Sequence, residues 1–387
     1  MSATFLGFRR DVGPPGARNH VLILPTTVCS SEVARHIHNR LPETVAALHQ
    51  HGCSQIGDDR DLTAEVLWRV AASPNVFGVV IVGLGCEAIP CEELAEAAAQ
   101  SRKPVVSYNI QDVGGTASAI EKGVSAAAEM LAEAAKQSRE PFPLSDLILG
   151  TECGGSDAWS GQTANPVIGR AADLMVEAGG TVILSETTEF IGAEHVLQRR
   201  ARTPEVADDI KRIVDATEQR VIAYGADIRG GNPTPGNMAG GITTLEEKSL
   251  GCIHKGGTSV VQEVLRYAAP PTRKGLVVMD TPGQDVESIT GMLAGGAQVV
   301  VFSTGRGSPV GAVVAPVIKI CTNSVVYSKM PDDIDVNAGV IVTEGRSVDN
   351  VGDDLFGRIV AVASGEETCA ERWGHVEFGI YRVGPTV

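Results

Sequence analysis

Residues 150 to 169 read GTECGGSDAWSGQTANPVIG: an apolar run ends in an acid, a thiol, two glycines, a serine and a second acid before any helical pattern resumes. Gly154 and Gly155 let backbone approach a ligand closely, so the reactive side chains beside them are placed for chemistry. Similar loops carry His51 and Cys53 (HGCSQ), Cys86 and Glu87 (GLGCEA), Glu186 (SETTEF) and, further on, His195. Thiolate, imidazole and carboxylate together suit Fe(II) or Zn(II) better than Mg(II), which prefers oxygen alone. The spacing is not a CxxC pattern, and the plainer reading makes Glu152 and Asp157 helix caps and the cysteines small loop fillers. Convergence of Cys53, Cys86 and Cys153 would instead supply three thiolates to an iron–sulfur cluster. Cys252 and Cys321 lie in apolar surroundings and read as buried, inert thiols. STGRGSPVG (303–311) spaces its glycines so that backbone N–H groups and Arg306 point at an anion, or else forms an ordinary strand-to-helix turn.

Parallel α/β layering would position these groups. Apolar runs of strand length alternate with Ala-rich helical patterns, which gives an α/β fold of two Rossmann-like parallel-sheet units with helices on both faces. The first unit, residues 1–140, has expected strands at 20–27, 76–85 and 104–109 and helices at 31–49, 91–102 and 117–137. The second, 141–387, has expected strands at 146–152, 180–186, 275–282, 297–304 and 317–323, and helices at 166–178, 205–224, 258–268 and 285–294. The polar segment 137–146, with two prolines, reads as the linker. Residues 225–257 are too rich in Gly, Pro and Asn for regular structure before TTLEEKSLG, and a loop that long is expected to be functional. Ligands of open parallel sheets bind beyond the carboxyl ends of the strands, and every unusual loop follows an expected strand at that end. GGNPTPGNMAGG has no Walker-type lysine and VIVGLGCEA lacks GxGxxG spacing, so neither a P-loop nor a nicotinamide site is expected. His20, His36 and His38 read as structural, and His49 shares the region of His51 without a clear choice between them.

Composition narrows the function classes. In 387 residues, 43% hydrophobic, there is material for two or three packed layers. The net charge of −15 disfavours nucleic acid and anionic membranes as partners, since a phosphate backbone is bound by excess Lys and Arg. Eight scattered cysteines do not resemble a disulfide framework, no membrane span is expected, and the first residues do not read as a signal peptide, so a cytoplasmic location is expected.

GTECGGSDAWSGQTANPVIG, NPTPGNMAGGITTLEEKSLG, MDTPGQD, STGRGSP and IKICTN, with GFRRDVGPPGARNHVLILPT and HGCSQIGDD near the start, together resemble the altronate and galactarate dehydratase family over essentially the whole chain. The resemblance implies a hydro-lyase, dependent on Fe(II), as a single ion or within an iron–sulfur cluster, with Mn(II) as an alternative ion. It would eliminate water from a sugar acid or related 2,3-dihydroxy acid to give a 2-keto-3-deoxy acid. The proton beside the carboxylate is very weakly acidic, so the enolate must be stabilised electrostatically while a base with a pKa near neutrality removes that proton. On this reading Cys53, Cys86, Glu152 and Cys153 hold the metal, and Ser156, Asp157, Lys248 and Arg306 contact substrate. Lys248, His51 and His195 are the alternative bases; a capped helix with a surface lysine is the plainer reading of TTLEEKSLG. Fused members of the family carry a small N-terminal domain, so a separate small subunit is expected, and a homo-oligomer is compatible with the sequence. A related sulfolactate sulfo-lyase large subunit, which releases sulfite, is one alternative, although Cys53 is expected only of the sugar-acid branch. A non-catalytic sugar-acid-binding subunit is the other.

Overall fold

The computed structural model describes residues 4–384 and 387. The β-branched runs become strands of two parallel sheets. The first has the spatial order Val45–Ala46, His20–Pro25, Val76–Gly83, Val105–Asn109. The second runs Val336–Asn337, Val317–Cys321, Val299–Thr304, Ile148–Cys153, Thr181–Leu184, Gly275–Met279, Val261–Leu265. Every pairing within these two sheets is parallel. Strands covered on both faces are continuously apolar rather than alternating, as VVIV (79–82) and VVVF (299–302) show.

Helices Ala164–Glu177, Pro204–Ala223 and Asp285–Ala294 lie close to their expected spans. Pro204 opens the second of these, where a missing N–H costs nothing, and the Thr203 hydroxyl accepts from the Val206 N–H. The expected helix at 31–49 instead runs Val28–Arg40. Pro42 disfavours helical backbone at Leu41, and Val45–Ala46 then joins the sheet. The expected helix at 258–268 is overturned: Val261–Leu265 is an edge strand, with Leu276 opposite Val261 and Val278 opposite Val264. Its short VQEVL pattern fits either period, and the β-branched residues favoured the strand. Within the expected linker, Glu140–Pro143 pairs antiparallel with Thr4–Gly7, a two-stranded edge where proline is tolerated. The long segment 225–257 holds the short helices Pro235–Ala239 and Leu245–Cys252.

The two units share apolar contacts. Leu22, Leu24, Val79 and Ile81 of the first sheet belong to the same buried cluster as Val277, Met279, Val300 and Phe302 of the second. The C-terminal tail also binds the first unit: the Ile380 carbonyl accepts from His51 Nε2 at 3.1 Å, and Asp59 accepts from the Val383 and Gly384 N–H groups at 2.8 and 2.9 Å. Among the described residues no helix is long and apolar enough to cross a membrane.

Candidate active site

In the second sheet the chain builds outward from Ile148–Cys153 through Thr181–Leu184, then returns to place Val299–Thr304 on the other side of the first strand. That reversal opens a crevice at the carboxyl ends, between the loop after Cys153 and the loop after Thr304. The loops are tied backbone to backbone: Gly154 N–H donates to the Ser303 carbonyl at 3.0 Å, and Gly305 and Arg306 N–H groups donate to the Gly155 carbonyl at 3.1 and 2.9 Å. Gly155 has φ +62°, the left-handed region that glycine enters without strain. Arg306 therefore has a fixed backbone and an exposed guanidinium.

Asp157 closes the floor of this crevice. Its carboxylate accepts from Thr322 Oγ1 at 2.9 Å, Asn323 Nδ2 at 3.1 Å, Ser160 Oγ at 3.2 Å and the Trp159 N–H at 3.1 Å. These bonds join the loop after Cys153 to the loop after Cys321. They also explain Gly305, where a Cβ would lie 2.2 Å from Asp157 Cγ. Ser156 is buried beside it, and its carbonyl accepts from Asn237 Nδ2 at 2.9 Å.

Beneath the adjoining strand ends lies a centre of ionisable groups with almost no solvent contact. Lys255 is fully buried and donates to Cys153 Sγ at 2.8 Å and to Glu186 Oε2. Glu186 also accepts the Cys153 N–H at 3.0 Å. Cys153 and Cys252 bring their sulfurs within 3.4 Å, and Cys252 donates to Glu189 Oε2 at 3.5 Å. Glu189 in turn accepts from Lys248 Nζ at 2.8 Å and from Asn232 Nδ2 at 3.2 Å. Two lysine–glutamate pairs thus flank two thiols from the core to the surface. Burial works against the Lys255 charge, yet the neighbouring Cys153 and Glu186 hold its pKa well above the ordinary lysine value. Hydrogen bonding with Cys252, then burial, drives the Cys153 pKa well up. Burial, then the charge of Glu186, raises that of Glu152 strongly. Ser185 and Ser288 donate to Glu152 Oε2 at 2.9 and 2.6 Å, while Oε1 has no partner among the described residues. Glu186 has φ +70°, a left-handed conformation that costs a non-glycine residue about 1–3 kcal/mol and is concentrated at functional sites.

The surface end of this chain opens on a cavity of about 810 Å³ lined by Lys248, Glu189, Asn232, Thr188, Thr234 and Gln284 among others. The long segment 225–257 supplies much of this wall. Gln284 also lines a second cavity of about 700 Å³, whose walls include His49 and His51 of the first unit. His51 is buried, directs Nε2 at the Ile380 carbonyl and leaves Nδ1 without a partner among the described residues.

The expected site residues are therefore distributed as follows. Lys248 is at the cavity, Arg306, Ser156 and Asp157 are at the crevice, and His51 is in the wall of the neighbouring cavity. His195 is exposed on the short helix Glu194–Gln198. The four expected metal donors do not converge: Glu152 and Cys153 belong to the buried centre, whereas Cys53 and Cys86 are exposed on loops of the first sheet. Among the described residues no three His, Cys, Asp or Glu side chains are disposed to hold a metal together, and the position between Cys153 and Glu186 is taken by the Lys255 ammonium. These donors do not fit the expected ion as they stand. Cys252, expected to be inert, is buried but touches both Cys153 and Glu189. Glu189, Lys255 and Asp285 are not anticipated from the sequence, although Glu189 stands inside SETTEF and Asp285 ends MDTPGQD.

The family model described as D-galactarate/altronate dehydratase, C-terminal, matches residues 144–386, and that for the second domain of D-galactarate dehydratase/altronate hydrolase matches residues 7–135. The altronate dehydratases of Bacillus subtilis and Escherichia coli are 37% and 38% identical, over 99% and 98% of this chain and 78% of each relative. The (2R)-sulfolactate sulfo-lyase subunit beta of Chromohalobacter salexigens is 35% identical over 98% of this chain and 97% of its own length.

Proposed function

We propose, since the chain belongs to the D-galactarate/altronate dehydratase family, that it is a hydro-lyase that removes water from a sugar acid to give a 2-keto-3-deoxy acid. The observation that carries this reading is the cavity at the strand carboxyl ends lined by Lys248, Asn232 and Glu189, with the buried Lys255–Glu186 pair behind it through Cys153 and Cys252. Elimination from a hydroxy acid places negative charge on a carboxylate as the neighbouring C–H bond breaks. Fixed ammonium groups in a water-poor site stabilise that charge far better than water does. Lys248 is the cation at the cavity wall, and Glu189 and Asn232 hold it in place. Arg306 offers a guanidinium at the crevice for a second acidic group, and the Asn, Thr and Gln side chains of the wall suit a polyhydroxylated chain.

The test is incubation of the purified chain with altronate and with galactarate, each with and without added Fe(II) or Mn(II), followed by NMR detection of a 2-keto-3-deoxy acid. No such product from either acid or from a panel of related aldonic and aldaric acids would refute the reading. A second reading has its own support: the chain spans nearly the full length of a sulfo-lyase subunit beta, so release of sulfite from sulfolactate in the presence of a small partner subunit is the alternative outcome. Binding of a sugar acid without turnover under every condition would leave a non-catalytic subunit.

A further inference from the structure

Among the acids around the buried centre, one is not committed to a neighbour. Glu152 is held by Ser185 and Ser288, Glu186 by Lys255 and the Cys153 N–H, and Glu189 by Lys248 and Asn232. Asp285, the first residue of helix Asp285–Ala294, accepts from no other residue's side chain or backbone among those described. Its carboxylate lies against the backbone of the loop after Cys153, where a Cβ on Gly154 would come within 2.1 Å of Asp285 Oδ2 and 2.7 Å of Cγ. Pro282, Gly283 and Gln284 immediately before it line the cavity that Lys248 lines, and Val286 and Glu287 immediately after it line the neighbouring one. Asp285 thus lies between residues that line the two cavities, partly open to solvent, at a helix end.

We propose that Asp285 is the catalytic residue that moves the proton, acting on a hydroxy acid whose carboxylate is held by Lys248, and that Gly154 lacks a side chain so that Asp285 can reach it. The proposal rests on the hydro-lyase reading above. The ionisable groups facing Asp285 are Glu186 and Glu152 from the strand ends, Lys248 from helix Leu245–Cys252, and Lys255 after that helix. Burial, then repulsion from Glu186, brings Asp285 up to about 7, with Lys248 and Lys255 pulling the other way. A carboxylate near that value serves both as base and as acid at neutral pH. In the forward step Asp285 takes the proton from the carbon beside the substrate carboxylate. The C–H electron pair becomes the new C=C bond as the β C–O bond breaks, and the departing oxygen collects the proton from Asp285 and leaves as water. The enol then ketonises, its hydroxyl proton being lost to solvent as C3 takes one up, and Asp285 is again a carboxylate.

The experiment compares the full-length wild type with Asp285→Asn, a near-isosteric change, and Asp285→Glu. Turnover of whichever acid the wild type dehydrates is measured from pH 5 to 9, alongside substrate affinity by calorimetry and 13C NMR titration of labelled Asp carboxyl groups. The expected result is a fall in kcat of about 10²–10⁴-fold in Asp285→Asn, affinity within about threefold of wild type, and disappearance of one Asp signal that titrates near neutrality. Asp285→Glu should regain part of the rate with a displaced pH profile, which a merely structural role for Asp285 would not produce. Asp285→Asn with at least a tenth of wild-type kcat, or a wild type with no Asp signal titrating near neutrality, would overturn the assignment alone. A wild type that dehydrates no hydroxy acid would overturn the hydro-lyase reading and this proposal with it.

Discussion

Replacing Lys255 by methionine keeps most of the buried stem and removes only the ammonium, which makes the energetic consequence calculable. Glu186 is 1% exposed, and among the described residues Lys255 is its one cationic partner within hydrogen-bond reach. Breaking a buried ion pair from one side costs about 3–5 kcal/mol. The stranded carboxylate can escape by taking a proton, and from an ordinary glutamate value of about 4.3 this costs about 5 kcal/mol at pH 8 but only about 1 kcal/mol at pH 5. The loss in Lys255→Met should therefore approach about 5 kcal/mol at pH 8 and shrink to about 1 kcal/mol at pH 5. At about 2–4 °C per kcal/mol for a domain of this size, the melting temperature falls by about 10–20 °C at pH 8 and about 2–4 °C at pH 5. Adding Glu186→Gln removes the anion as well, so the double variant should be more stable at pH 8 than Lys255→Met alone. The assay is thermal unfolding by circular dichroism of the wild type, the two single variants and the double variant at both pH values. A deficit in Lys255→Met that is equal at pH 5 and pH 8, or losses that simply add in the double variant, would refute the buried ion pair as the organising feature of the site.

Gly154→Ala places a methyl group 2.1 Å from Asp285 Oδ2 and 2.5 Å from Phe302 Cζ; turnover should fall at least about tenfold while unfolding measurements show a loss of about 1–3 kcal/mol, the usual range for overpacking. Arg306→Gln removes an exposed guanidinium without disturbing its backbone bonds, so steady-state kinetics should show a raised KM for a diacid substrate with melting temperature unchanged within about 1 °C. His49 donates from Nε2 to the Pro25 carbonyl and accepts the His51 N–H on Nδ1, and burial pushes its pKa down to about 4. A lowered folded-state value means stability that is present above about 6.5 and lost as pH falls towards 4; His49→Gln should flatten that part of a pH-dependent denaturation series by up to about 3 kcal/mol. Asp285 has the opposite sign: its value is raised, so the stability it contributes below pH 4 is lost as pH rises to about 7. Asp285→Asn should accordingly melt higher than wild type at pH 8 and no higher at pH 4.

The sheets were legible because fully buried parallel strands write themselves as continuous Val, Ile and Leu runs, and the loops at their carboxyl ends were legible because glycine and reactive side chains interrupt those runs. Val261–Leu265 was not, since an edge strand is neither long nor continuously apolar, and five residues of VQEVL satisfy a helical stripe as well as a strand. The same reasoning separates the site residues that were found from those that were missed. Lys248, Asp157 and Arg306 stand in distinctive loops or at a capped helix start. Lys255 stands in GCIHKGG, where a lysine between a histidine and two glycines reads as a surface residue. Its burial depends on pairing with Glu186 and Cys153, which lie 69 and 102 residues away in the chain.

Convergence of that kind leaves no periodic trace, and it also decides which reactive residues act together. Cys53, Cys86 and Cys153 have equivalent loop contexts in the sequence, so their grouping was chemically reasonable. In the fold, Cys153 is instead drawn into the core by its strand register with Ser303, where Lys255, Glu186 and Cys252 satisfy it, while Cys53 and Cys86 remain at the surface. A buried thiol pressed between a second thiol and an ammonium has no free coordination direction unless Lys255 withdraws. Any divalent ion that binds at Cys153 must therefore displace the Lys255 ammonium and break its pair with Glu186. Its affinity should rise in Lys255→Met, where the displacement is already made, and metal analysis of that variant after anaerobic loading with Fe(II) should show more bound iron than the wild type. Equal iron in the two proteins would mean that any ion bound lies elsewhere, beyond the reach of Lys255.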